Sequence, residues 1–209
     1  MLKVPVAREG WPFIAAPLAA ACILTLAGRR RLALAGVVAG AACAGFFRDP
    51  ERTSPEVPGA VLAPADGKVM DMVDVDDPFV GPAVRVSIFL SPLDVHVNRS
   101  PVDGIVQDVT YVRGRFVAAY RPEASEANER CTVALEGDRG RVSVTQIAGV
   151  VARRIVCRAR AGDKLAAGER FGLIRFGSRT DLTVPRGTEI LARPGDRMIG
   201  GESIMALFR

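Results

Sequence analysis

This chain has few of the side chains that build metal and redox centres. Its 209 residues include one histidine, His96, and four cysteines, Cys22, Cys43, Cys131 and Cys157, with no CxxC spacing. A sole histidine cannot supply a multi-histidine metal site, and these cysteines form neither a zinc pattern nor a disulfide framework. No metal is expected. Cys22 and Cys43 lie in apolar segments, where a thiol packs as a small hydrophobe. Lysine is scarce after residue 50, with only Lys68 and Lys164, and neither has the flanking residues of a prosthetic-group carrier. An excess of one charge is also missing there: residues 51–209 carry 22 basic and 21 acidic side chains. That balance argues against nucleic acid as a partner.

The basic excess is at the front. Residues 1–50 hold Lys3, Arg8, Arg29, Arg30, Arg31 and Arg48 against Glu9 and Asp49. Within them, two uncharged apolar runs, 11–27 and 32–47, are joined by Gly28-Arg29-Arg30-Arg31. The pattern predicts an apolar helical hairpin over 1–47 that meets anionic lipid head groups. Each arm is about 24–26 Å long at the helical rise, a little short of a hydrocarbon core of roughly 30 Å. Pro12 and Pro17 shorten or bend the first arm. A spanning hairpin carries three arginines across, against the positive-inside tendency; one that dips into a single leaflet avoids this. Both arrangements stay open. A cleaved secretory signal is a third reading, against which the second apolar run speaks.

A polar linker with Pro50, Pro55 and Pro58 follows, and from Val61 short Val/Ile runs alternate with Gly, Pro and Asp turns. Residues 84–90, 104–109 and 141–147 alternate in the manner of strands. Residues 118–130 are the best helical candidate after residue 50. A short repeat is present: Gly162-Asp163-Lys164-Leu165-Ala166-Ala167-Gly168-Glu169 recurs as Gly195-Asp196-Arg197-Met198-Ile199-Gly200-Gly201-Glu202, 33 residues later. Each copy reads as turn, bulge and turn between strands, similar to the hairpin turns of lipoyl and biotinyl carrier domains. The expected fold is therefore mainly β, a barrel or sandwich over 48–209 with lipoyl-like hairpin turns, behind the helical hairpin.

Three places carry possible chemistry. In Arg175-Phe176-Gly177-Ser178-Arg179, a serine follows a glycine whose backbone is unusually free. Its hydroxyl could attack the carbonyl behind it, convert the peptide bond to an ester and open a route to a pyruvoyl group, a built-in electron sink. His96 lies at a polar junction between two strands and is the natural proton carrier near neutrality; a capping or surface histidine is the plainer reading. Asp66, in Pro64-Ala65-Asp66-Gly67, is either a turn residue or the acid that orients His96.

Taken in order, Pro64-Ala65-Asp66-Gly67, Phe89-Leu90-Ser91-Pro92-Leu93-Asp94-Val95-His96-Val97-Asn98-Arg99, Asn128-Glu129-Arg130, Gln146-Ile147-Ala148-Gly149, Ala152-Arg153-Arg154-Ile155 and Phe176-Gly177-Ser178-Arg179 resemble phosphatidylserine decarboxylase proenzymes of the short prokaryotic type. The resemblance runs from about residue 48 to the end. It implies self-cleavage after Gly177 into chains 1–177 and 178–209 that stay associated, and a pyruvoyl cofactor made from Ser178. It further implies His96 and Asp66 as the acid–base groups, phosphatidylserine as substrate, and a cell-membrane location with the catalytic domain on the cytoplasmic side. One departure stands out: longer members have two histidines where this chain has His96 and Arg99, so either His96 serves both maturation and turnover or another group replaces it in one of them. Alternatives from the residues are a decarboxylase of an ether-lipid analogue and a membrane-tethered β module that binds or carries a group.

Overall fold

The computed structural model describes residues 5–119, 121, 123–149, 154–175 and 178–209. Two compact units divide the chain, one ending at Glu51 and the other running from Arg52 to Arg209.

In the first unit, α1 (Trp11–Leu26) and α2 (Arg30–Phe46) form the expected apolar helix pair. The connecting turn uses Gly28 at φ 74°, a left-handed conformation that a side chain would strain. Pro12 sits in the first turn of α1, where no intrahelical donor is lost, and Pro17 lies within the helix. Small residues let the helices touch: a Cβ on Gly36 would come within 2.9 Å of the Pro17 carbonyl, and one on Gly40 within 2.9 Å of Leu18. The ends of the hairpin are tied by Ala7 N–H to Phe47 O at 2.9 Å and Asp49 N–H to Pro5 O at 2.7 Å. Most large side chains point outward, among them Trp11, Ile23, Leu26, Leu34 and Val38. Among the described residues, one helix, Arg8–Leu26, is long and apolar enough to cross a membrane.

Among the described residues the second unit has fourteen strands. They are β1 (Ala60–Leu62), β2 (Gly67–Asp77), β3 (Gly81–Leu90), β4 (Val97–Arg99), β5 (Gly104–Val112), β6 (Arg130–Gly137) and β7 (Gly140–Ala148). The rest are β8 (Ile155–Cys157), β9 (Lys164–Leu165), β10 (Arg170–Ile174), β11 (Ser178–Pro185), β12 (Glu189–Ile190), β13 (Arg197–Met198) and β14 (Ile204–Leu207). Eight form one antiparallel sheet in the order β13-β2-β3-β11-β7-β6-β5-β9, flanked by the small sheets β1-β14-β12 and β4-β10-β8. The expected β-rich domain is thus present. Alternation sets the faces: Val86, Ile88 and Leu90 of β3 and Val142 and Val144 of β7 enter the core, with Leu182 and Val184 of β11 between them. Cys131 and Cys157 border a small second cluster with Ala148, Ile155 and Ile174. The hydrogen bond to Cys157, together with burial, pushes the Cys131 thiol up, so it stays protonated.

The repeat is a structural one. Asp163 Oδ2 accepts the Arg160 N–H and Asp196 Oδ2 the Arg193 N–H, both at 2.8 Å. Gly162 N–H donates to Val106 O and Val106 N–H to Asp163 O, just as Gly195 N–H donates to Val69 O and Val69 N–H to Asp196 O. The two copies meet at Gly168 and Gly201, and Ser54 Oγ bridges them through Ala167 O at 3.2 Å and Gly201 O at 3.0 Å. The helical expectation for 118–130 is cut to one turn, α3 (Ala124–Ala127). Asn128 ends that turn in extended backbone, because its side chain is committed to Val117 and Ala148.

Candidate active site

The core face of β11 changes character at one end. Leu182 and Val184 are followed toward the N-terminus by Thr180 and Ser178, all buried. Its neighbour β7 does the same, passing from Val142 and Val144 to Gln146. A polar end on an apolar core is costly unless its groups are paired. Here Gln146 Nε2 donates to Asn98 Oδ1 at 2.8 Å, and Asn98 Nδ2 donates to Thr180 Oγ1 at 3.0 Å. Gly172 makes room for this: a Cβ there would lie 2.3 Å from Val156 O and 2.9 Å from Gln146 Nε2. The chain of bonds ties β4 to β7 and β11, across two sheets.

Two atoms stand outside the pairing, Gln146 Oε1 and the Ser178 hydroxyl. The Ser178 hydroxyl is fully buried and, among the described residues, has no hydrogen-bond partner. The Ser178 backbone is held firmly. Ala148 turns its N–H to Glu129 O (3.0 Å) and its carbonyl to Asn128 Nδ2 (2.7 Å), both away from β11. Ser178–Ala148 is then a pair without mutual bonds, and the Ser178 N–H and C=O face Leu90 on β3. Gly177, the expected cleavage position, lies outside the described residues, as do Ala152 and Arg153 of the quoted motifs.

His96 approaches the same segment from the other side. Ile174 N–H donates to His96 O at 3.2 Å, continuing the β10–β4 ladder in which Leu173 faces Val97. Ser178 faces Leu90. The 91–95 segment is thus bounded by the pairings of Leu90 with Ser178 and of His96 with Ile174. His96 is buried, and its Nδ1 lies 2.9 Å from Asp94 O. A carbonyl only accepts, so Nδ1 carries the proton and Nε2 of the neutral ring is the basic atom. The turn that sets this is fixed by the Asp94 carboxylate, which accepts Ser91 N–H at 2.8 Å, Ser91 Oγ–H at 2.7 Å and the Arg197 guanidinium.

Asp66 stands in the neighbouring loop, tied to the strand after His96 by Arg99 N–H to Pro64 O at 2.9 Å. Its carboxylate takes Arg52 Nη2 at 3.0 Å and the Gly200 N–H at 2.8 Å. Burial pushes its pKa up, with the nearby Asp94 charge adding to it, against the lowering effect of Gly200 and Arg52. Arg99 is buried and donates to Gly168 O at 2.9 Å. It braces the repeat turns.

Two further motif residues belong to the scaffold. Arg179 points to the opposite sheet face, fully buried, with Nε on Asp181 at 2.6 Å and Nη2 on Ser87. Asn128 joins the 113–128 loop to Ala148. Sequence reasoning missed Asp94, Asn98, Gln146 and Thr180. The signal for Gln146 was its place on the inward phase of Val142, Val144 and Ala148, where a polar group demands a partner. Among the described residues no group of His, Cys, Asp and Glu could hold a metal ion.

A profile of the phosphatidylserine decarboxylase family matches residues 39–206. The phosphatidylserine decarboxylase proenzyme of Nocardia farcinica is 51% identical over 97% of this chain and 87% of its own length. Its counterpart in Symbiobacterium thermophilum is 49% identical over 98% of this chain and 96% of its own. That of Rhodococcus erythropolis is 48% identical over 97% and 87%.

Proposed function

This chain belongs to the phosphatidylserine decarboxylase family, a family of lyases, and from that premise we propose that it matures by cutting itself between Gly177 and Ser178. The observation that carries the reading is the Ser178 hydroxyl: buried and unpaired among the described residues, at the head of a central strand, beside the loop that ends in His96. An orphaned buried hydroxyl is rare enough to need a reason. Reactivity toward the preceding carbonyl supplies one.

In the proposed maturation, His96 Nε2 takes the hydroxyl proton as Ser178 Oγ adds to the Gly177 carbonyl carbon. The C–N bond breaks, the amine takes up a proton, and an ester links the two segments. Removal of the Ser178 Cα proton then expels the Gly177 carboxylate and leaves dehydroalanine at 178. Its tautomer adds water and loses ammonia, giving a pyruvoyl group at the head of 178–209. Asp66 supports His96 from the adjoining loop.

The site fits that group, since Ser178 is its own precursor and the facing residue on β7 is the small Ala148. The pyruvoyl ketone supplies a sink for the electron pair released with carbon dioxide. The Leu90 N–H, which faces the Ser178 carbonyl, would hold the amide beside the ketone. His96 would deliver the proton that replaces the lost carboxylate, and the Asp94 carbonyl keeps its ring in the orientation to do so. Domains 1–47 and 48–209 divide the work: the hairpin keeps the enzyme at the cell membrane, on the cytoplasmic side, and the β domain decarboxylates phosphatidylserine to phosphatidylethanolamine. The two chains stay together because β11 lies between β3 and β7, while β13 pairs with β2 and β14 with β1 of the large chain.

Intact mass tests this directly. The purified protein should resolve into 1–177 and a 178–209 fragment with a blocked, ketone-bearing terminus, and Ser178→Ala should remain one chain without decarboxylase activity. A fragment beginning at 178 in that variant would sink the mechanism.

A further inference from the structure

A pair of thiols lies beside the candidate site. Cys131 on β6 and Cys157 on β8 are both free, 26 residues apart in the chain. Ile155 and Cys157, two apart on β8, share a face, and that face packs on Cys131, Ala148 and Ile174. Strand register brings the same two cysteines together. Cys131 faces Gln146 on β7, and Cys157 faces Gly172 on β10. Gln146 reaches across to β10: a Cβ on Gly172 would lie 2.9 Å from Gln146 Nε2 and 3.4 Å from the Cys157 Cα. A side-chain hydrogen bond joins the two thiols directly.

The pair is asymmetric. Cys131 is 1% exposed, whereas Cys157 is half-buried. The hydrogen bond from Cys131 draws the Cys157 thiol below its ordinary value, against the opposing effect of burial. The thiolate, not the thiol, is the nucleophile. Cys157 is therefore the attacking member, and the sheltered Cys131 stands ready to resolve what forms on it.

Three neighbours tie the pair to the site. Ala148 faces Ser178, Ile174 donates its N–H to His96 O, and Gln146 donates to Asn98. A change in the length of the link between β6 and β8 is thus felt by both the nucleophile-bearing and the base-bearing strands.

We propose that Cys131 and Cys157 are a reversible oxidation site, closed to a disulfide by a low-molecular-weight disulfide, and that closure slows the chemistry at Ser178 through Gln146. The bond itself stands apart from the decarboxylase reading, while its effect on turnover rests on that reading. In the first step the Cys157 thiolate attacks one sulfur of the small disulfide. A mixed disulfide forms, and the departing thiolate takes up the proton that Cys157 gave up. Cys131 then loses its proton, attacks the Cys157 sulfur and expels the second small thiolate, which is protonated in turn. Two protein thiols have lost two electrons, and the small disulfide has gained them as two thiols. The closed bond holds its sulfurs at about 2.05 Å, nearer than hydrogen-bonded thiols approach. β6 and β8 are drawn together beside Gln146, and Gly172 leaves its amide no space to retreat. The Gln146–Asn98 bond is lost, and with it the alignment of Asn98 on Thr180.

The test uses the full chain carrying Cys22→Ala and Cys43→Ala, so that Cys131 and Cys157 are its only thiols. The protein is treated with 2-hydroxyethyl disulfide, denatured, alkylated and digested with trypsin. Peptides 131–139 and 155–158 should be recovered as a disulfide-linked pair, from a Ser178→Ala chain as well as from the parent. Carbon dioxide release from phosphatidylserine in detergent micelles should fall about tenfold in the oxidised parent and return with dithiothreitol. Cys157→Ala should keep its rate through both treatments. Two alkylated thiols, or a mixed disulfide on Cys157 with Cys131 alkylated, overturn the proposal. A linked pair with an unchanged rate overturns it too, as does an equal loss of rate in Cys157→Ala, where no internal bond can form. If the reduced parent released no carbon dioxide, the decarboxylase reading would fall, and the linked peptides would still decide whether the bond forms.

Discussion

Thr180→Val is the most discriminating change for the site geometry. It keeps the side-chain shape and removes the hydroxyl that accepts Asn98 Nδ2 at 3.0 Å. Asn98 and Thr180 are both fully buried, so the abandoned N–H has no water to turn to. Leaving a buried donor unpaired costs about 1–3 kcal/mol. For a domain of this size each kcal/mol shifts the melting temperature by about 2–4 °C, so a fall of about 2–12 °C is expected. That should be measured in a Ser178→Ala background, where the chain stays continuous. The effect on self-cleavage should be larger than stability alone dictates. Asn98 is two residues from His96 and Thr180 two from Ser178, so their bond sets the base-bearing strand against the nucleophile-bearing one. Misplacement by an ångström can cost about a hundredfold in rate, and we expect splitting to slow by about tenfold to a hundredfold. The assay follows chain splitting by gel against time below the melting transition. Thr180→Ser restores the hydroxyl and should restore most of the rate. Splitting of Thr180→Val at the parent rate, or of Thr180→Ser as slowly as Thr180→Val, would refute the reasoning.

Further outcomes follow from the same geometry. His96→Ala should slow chain splitting and also impair carbon dioxide release per pyruvoyl formed; normal splitting with turnover lost would confine His96 to decarboxylation. Asp66 has its pKa raised by burial, so the folded state holds its proton more tightly than the unfolded chain, and stability declines as pH rises from the ordinary value of 3.8 through the raised one. Asp66→Asn should flatten that decline in urea titrations across the same range, and an unchanged pH dependence would show that another group governs it. Arg99→Ala removes the bond to Gly168 O and should destabilise the domain by about 1–3 kcal/mol, read as a shift in the denaturation midpoint. A shortened chain, 48–209, should still split yet leave the membrane fraction; failure to split would give the hairpin a role in folding.

Much of this was legible in the sequence where the signal is local. The uncharged runs 11–27 and 32–47 mark the helices to within a few residues, because apolar length and a Gly-Arg turn need no tertiary context. Residues 84–90, 104–109 and 141–147 alternate as strands and lie within β3, β5 and β7. The Gly-Asp repeat announced its own turns. The expected helix at 118–130 shrank to one turn because Asn128 is claimed by Val117 and Ala148, partners far away in the alphabet of the chain. The same limit hid the support for His96. Asn98 meets Gln146 and Thr180 only after three strands from different parts of the chain are assembled, and spacing carries no trace of that meeting. Asp94 was visible inside a quoted motif, but its task, stapling a turn whose carbonyl fixes the imidazole, follows from geometry alone.

The burial of Ser178 at the head of a central strand also fixes an order of events. A protease needs a pliable, exposed stretch, and Ser178 itself has no exposure. If the chain is cut there, only a folded chain can have cut itself, and the break records that folding succeeded. It is also irreversible. The two pieces are separate molecules afterwards, so regaining the native arrangement becomes an encounter whose yield falls on dilution. The mature protein would then owe its persistence to slow unfolding rather than to equilibrium. Heated and cooled at low concentration, Ser178→Ala should return to its starting state, whereas the cut form should not.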